Sequence, residues 1–86
     1  MTRKAKLYAK ARVNPRGLRF AEFVALVKAF GFAFDHQTGS HRIHKHATIG
    51  RIVNVQPASD GKAKAVQVRA FLAIIERYGL SLEDEG

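Results

Sequence analysis

Residues 31–46, GFAFDHQTGSHRIHKH, read as a β-hairpin. Phe32 to Gln37 alternates, with Phe32 and Phe34 on one face and Ala33 and Asp35 on the other. Thr38-Gly39 is a turn signal, and Ser40 to His46 forms the returning strand. Upstream, Phe20, Phe23, Val24, Val27 and Phe30 fall at the spacing of one helical face, so Phe20 to Phe30 is expected to be an amphipathic helix. Gly31 then stands where a left-handed C-terminal cap is wanted. Downstream, Arg51 to Gln56 is a third strand with Val53 and Val55 on one face, and Pro57 to Gly61 is a loop. Ala65 to Tyr78 is a second helix with Val68, Leu72 and Ile75 on one stripe, capped by Gly79.

This pattern specifies an α+β, two-layer domain of order α-β-β-β-α, with the helices on one face of a three-stranded antiparallel sheet. Double-stranded-RNA-binding domains share that order. The expected boundaries are a basic N-terminal arm or short helix over 1–16, one domain over 17–82 and an acidic tail over 83–86. Within the arm, residues 2–12 can form an extra helix with Leu7 and Ala11 on one side. The Asn14-Pro15-Arg16-Gly17 turn leaves the arm loosely attached in this reading.

Eighty-six residues make a single domain. The apolar content of 47%, with six Phe and two Tyr, is enough for a packed core and argues against a disordered chain. With no Cys, disulfides and Cys-ligated zinc are excluded. No apolar run reaches the length of a signal peptide or a membrane span, so the expected location is the cytoplasm. Charge gives the first pointer to function: 15 Lys and Arg face seven acids, a net of +8. Three of those acids, Glu83, Asp84 and Glu85, lie in the tail, which leaves four against 15 cations over residues 1–82. So basic a body favours phosphate-rich partners, chiefly nucleic acid.

Three of the four His, namely His41, His44 and His46, fall within six residues, and His36 lies just across the turn. A tight hairpin about Thr38-Gly39 would set His36 opposite His41 and Phe34 opposite Ile43, with all four on the core side of the sheet. Thr tolerates positive φ badly, and a Gly-bulged loop would shift that pairing by one residue. Imidazole exchanges protons near neutral pH, so it can take one from a ribose 2′-OH or give one to a leaving 5′-oxygen. On the same strand, Arg42 and Lys45 are candidates to hold the phosphate. The competing readings are a solvated His-rich face and a metal pair at His44 and His46, which lacks a Cys or nearby acid. A second basic site, Lys62 and Lys64 in Gly61-Lys62-Ala63-Lys64, precedes the last helix, where backbone N–H groups attract phosphate.

The run GFAFDHQTGSHRIHKH, then NVQP, then DGKAKAVQVRAFLAIIERYGL, resembles the HicA toxins of bacterial toxin–antitoxin pairs from about Asn14 to Leu82. The resemblance implies a double-stranded-RNA-binding-like fold and an mRNA interferase, an endoribonuclease that stops translation. It places the catalytic His on His41, with Gly39 and Ser40 as positioning residues, and implies a HicB-type antitoxin that masks His41. The sequence departs from the family at His44, where an aromatic is usual, and at Ala47 and Ala65, where Pro is common.

The expected function is therefore RNA cleavage, without cofactor or metal. His41 serves as general acid or base, Gly39, Ser40, Arg42, Lys45, Lys62 and Lys64 contact substrate, and His36 and His44 are candidate auxiliary acid/base groups. The alternatives are a non-catalytic RNA-binding module of the same fold and a protein-interaction domain with a basic face.

Overall fold

The computed structural model describes residues 3–82; the acidic tail expected over 83–86 lies outside the described residues. The order is α1 (Arg3–Val13), a 3-10 turn (Pro15–Gly17), α2 (Phe20–Ala29), β1 (Phe32–Thr38), β2 (His41–His46), β3 (Ile52–Val55) and α3 (Ala65–Tyr78). The strands form one antiparallel sheet in the order β1-β2-β3, and α2 and α3 cover one of its faces. This is the α+β architecture expected from the sequence.

Helix α2 buries Phe23, Leu26, Val27 and Phe30, one residue row further round than the stripe expected from Phe20. Phe20 and Val24 sit at the margin of that face, only partly covered. At its start the Glu22 carboxylate accepts a hydrogen bond from the Arg19 N–H at 2.9 Å, satisfying a donor that the helix leaves unpaired. That bond, with smaller help from Lys10 and Arg19 charges, holds the Glu22 carboxyl below its usual range against the opposing effect of burial.

In α3, Val68, Phe71 and Ile75 face the sheet. Phe71 is the hub of the core, with its ring edge-to-face against Phe23 (5.8 Å), Phe30 (5.7 Å) and Phe32 (5.7 Å). The helix ends at Gly79 with φ +60°, the Leu80 N–H returning to the Ile75 carbonyl at 3.0 Å, and Leu80 packing back on the core.

The N-terminal segment differs from the loose attachment expected of it. Helix α1 buries Leu7 and Ala11 in the common core. Tyr8 packs edge-to-face on Phe30 at 5.1 Å, and Lys10 Nζ reaches Glu22 Oε1 at 3.0 Å. Its apolar face is narrow among the Lys and Arg residues, yet an aromatic ring completes it.

Candidate active site

The hairpin turn is Gly39-Ser40, one residue later than Thr38-Gly39, and Thr38 pairs with His41. Gly39 takes φ +61° and Ser40 keeps a negative φ, the pattern of a two-residue turn with Gly at its first central position. Thr38 stays in the strand, where a β-branched residue is favoured. The Gln37 side-chain amide closes the turn by donating to the Gly39 carbonyl at 2.9 Å. A bulge between Phe34 and His36 absorbs one residue, so Phe34 pairs with His44 and His36 with Ile43.

This register corrects the His36–His41 pairing. Opposite Val53 and Val55 in β3 stand His44 and Arg42, on the helix-covered face. His41, Ile43 and Lys45 alternate onto the open face, joined there by Asn54 and the 55% exposed Ile52 of β3. The bulge carries His36 to the open face too, whereas Phe34 stays on the helix side. His36 and His41 are therefore diagonal neighbours, and neither lies on the core side. His36 is held by its own neighbour, its Nδ1 lying 2.7 Å from Asp35 Oδ2.

His41 is oriented from β3. Its Nδ1 lies 2.8 Å from Asn54 Nδ2 and 3.1 Å from Asn54 Oδ1. Both ends of the amide reach the same nitrogen, so Asn54 can donate to a bare Nδ1 or accept from a protonated one. Nε2 is left for a substrate. Gln56 supports the same end of the domain: its side chain donates to Ser40 Oγ at 3.1 Å, and its backbone N–H donates to Gln67 Oε1 at 2.9 Å. The turn before His41 and the first turns of α3 are thereby tied together.

Lys45 shares the face of His41, but Arg42 does not. The Arg42 guanidinium lies over the Phe20 ring, 5.1 Å from its centroid, on the helix side. His44 is 2% exposed, packs edge-to-face on Phe34 at 5.8 Å, and has no hydrogen-bond partner for Nδ1. Burial pushes its pKa down, opposed by a hydrogen bond to the Arg42 backbone and reinforced by the Lys28 and Arg42 charges. The usual aromatic of this position in the resembling proteins is thus replaced by another planar ring in a core site. His46 closes the β2–β3 loop, its Nδ1 accepting from the Thr48 N–H (3.1 Å) and the Ile49 N–H (3.3 Å). Among the described residues no three His, Asp or Glu side chains gather into a metal-binding group.

Lys62 and Lys64 lead into α3. The Lys62 N–H donates to Asp60 Oδ1 at 3.0 Å, and Lys64 is the helix N-cap, with no side-chain cap and no acid in the first turn. The residues that sequence reasoning missed are Asn54, Gln56 and Gln67. Asn54 carried one signal, a polar residue between two core valines in β3, but its partner depends on a register that the sequence left open.

The fold and the open face of the sheet define a small α+β domain with a buttressed His on a strand. Residues 20–80 match the family model described as the HicA toxin of bacterial toxin-antitoxin. The chain belongs to that family, which makes it the toxin member of a toxin–antitoxin pair and implies a cognate antitoxin. Comparisons with curated proteins and with solved structures gave no match. Among the described residues no helix is long and apolar enough to cross a membrane.

Proposed function

We propose that this toxin is an endoribonuclease that cleaves mRNA, blocks translation and is neutralised by a HicB-type antitoxin covering His41. The observation that carries this reading is the His41–Asn54 pair beside Lys45 on an otherwise open face of the sheet. RNA supplies its own nucleophile. As the 2′-oxygen attacks the adjacent phosphorus, its proton passes to a base, the P–O5′ bond breaks, and the 5′-oxygen takes a proton from an acid. His41 Nε2 performs one of these transfers, and the Asn54 amide serves the ring in both protonation states, much as Asn does in Cys-His-Asn sites.

His36 is the better candidate for the second transfer. Diagonal neighbours on an antiparallel pair stand about 7–8 Å apart, room for a phosphate between two imidazoles. The Asp35 carboxylate orients the His36 ring. His44 lies on the other face and is buried. Lys45 offsets charge on the reacting phosphate. Gly39 and Ser40 fix the turn that sets His41, and Lys62 and Lys64 with the uncapped start of α3 dock the RNA backbone further along.

The test is induction of the wild-type chain and a His41→Ala chain in bacteria, with growth and RNA integrity followed together. Arrest with mRNA breakdown in the wild type alone supports the reading. Cleavage by a folded His41→Ala protein would exclude His41 from the chemistry, and arrest by both without cleavage would indicate a non-catalytic RNA binder.

A further inference from the structure

Arg42 and His44 point away from His41, and what they serve is a different place. A cleft of about 260 Å³ opens between α2 and the β1–β2 pair, lined by Val24, Lys28, Phe34, Gln37, Arg42 and His44. Its composition is specific. Phe34 is a large aromatic left 53% exposed at the mouth, and Lys28 and Arg42 are both exposed cations. The lining includes His44, a polar ring 98% buried whose Nδ1 has no partner. Arg42 is held in place by its stacking on Phe20.

We propose that this cleft is a subsite for one nucleotide of single-stranded RNA, its base against Phe34 and its phosphate between Lys28 and Arg42. The subsite rests on the ribonuclease reading for its biological use, but its ligand chemistry stands by itself. Single-stranded nucleic acid is gripped by aromatic faces that take bases and cations that take the backbone, and the cleft offers both within one small volume. A whole drug-sized ligand needs about 300–1,000 Å³, whereas a single planar ring with its attached phosphate fits an open cleft of this size. Because β1 is an edge strand, an RNA strand lying on the His41 face can pass round β1 into the cleft. The flanking nucleotide it places there would bias where the chain is cut.

The experiment uses the full chain carrying His41→Ala, titrated with each of the four nucleoside 5′-monophosphates and with inorganic phosphate, followed by NMR at the His44 ring nitrogens and the Phe34 ring. The expected result is saturable movement of both signals by at least one nucleotide, and little movement by phosphate alone. Phe34→Ala and, separately, Lys28→Ala should weaken that nucleotide about tenfold, in line with the loss of one stacked base or one phosphate contact. Both side chains are exposed, so the variants are expected to keep the fold, which the NMR spectrum itself reports. No movement by any nucleotide overturns the proposal. So does a response reproduced in full by phosphate, which would mark an anion site only, or one produced only by the antitoxin, which would assign the cleft to a protein interface. Cleavage is assayed separately with His41 intact. A wild type that cuts RNA while nucleotides leave the cleft unmoved removes the subsite and keeps the ribonuclease. Nucleotide binding by a chain that never cuts does the reverse.

Discussion

Asn54 Nδ2 lies 2.8 Å from His41 Nδ1, across a sheet in which the two residues occupy different strands and share the open face. The relationship follows from the register, with Ile43 paired to Asn54 and His41 one diagonal step away. A neutral amide can hold a ring that must gain and lose a proton, because it donates or accepts as the ring requires. An Asp there would instead favour the charged ring.

Replacing Asn54 should therefore act on catalysis more than on folding. Asn54→Ala is expected to lower the cleavage rate about tenfold to a hundredfold, as removal of a ring-orienting partner commonly does. Stability should change by less than about 1 kcal/mol for so partly exposed a residue. Asn54→Asp should restore much of the rate and move the His41 limb of the pH–rate profile to higher pH. A purely structural Asn54 would lower rate and stability together and leave the profile where it was.

His44 predicts a pH-dependent stability. Burial lowers its folded-state pKa, so below the unfolded value of about 6.5 the unfolded chain binds more protons than the native one. Its contribution to stability is present above that value and is lost as pH falls through the folded one. His44→Phe removes both the titration and the unpaired Nδ1, and should stabilise the protein by about 1 kcal/mol at pH 7. Urea unfolding at pH 7 and pH 5 checks this. The variant should lose less stability than the wild type on acidification, and an equal loss would assign the pH dependence to another group.

Much of the fold was legible in particular residues. The i, i+3, i+4, i+7 spacing and Gly79 placed α3 at Ala65–Tyr78, and the alternation of Val53 and Val55 gave the inner face of β3. The hairpin register was not legible, because Thr38-Gly39 and Gly39-Ser40 are adjacent turn signals and the bulge after Phe34 leaves no mark in composition. That one uncertainty hid most of the site. It put His36 opposite His41 on the core side and gave Asn54 no partner. His44 had the opposite difficulty, since a His in a His-rich strand looks solvated until the strand's face is known.

Salt dependence tests the second basic site. In a His41→Ala background that leaves RNA uncut, each of Lys62→Ala and Lys64→Ala should reduce the slope of log affinity against log salt by about 0.7 if it removes one contact to single-stranded phosphate. The loss should be nearly independent of RNA sequence. Unchanged slopes in both variants would move backbone docking away from the start of α3.

Helix α1 supplies the last prediction, because its basic composition and its packing point in opposite directions. Arg3, Lys6, Ala9, Lys10, Arg12 and Val13 are exposed as a solvated arm would be, but Leu7 is 8% exposed and Ala11 fully buried, and both sit in the same core as Phe23 and Phe71. Leu7→Ala should then cost about 2–3 kcal/mol, as for other Leu truncations that leave a cavity. For a domain of this size that is a fall in Tm of roughly 10–20 °C. A detachable arm would show almost none of it. Thermal unfolding of Leu7→Ala beside Val13→Ala, whose side chain is 86% exposed on the same helix, separates the two: the first should melt early and the second with the wild type.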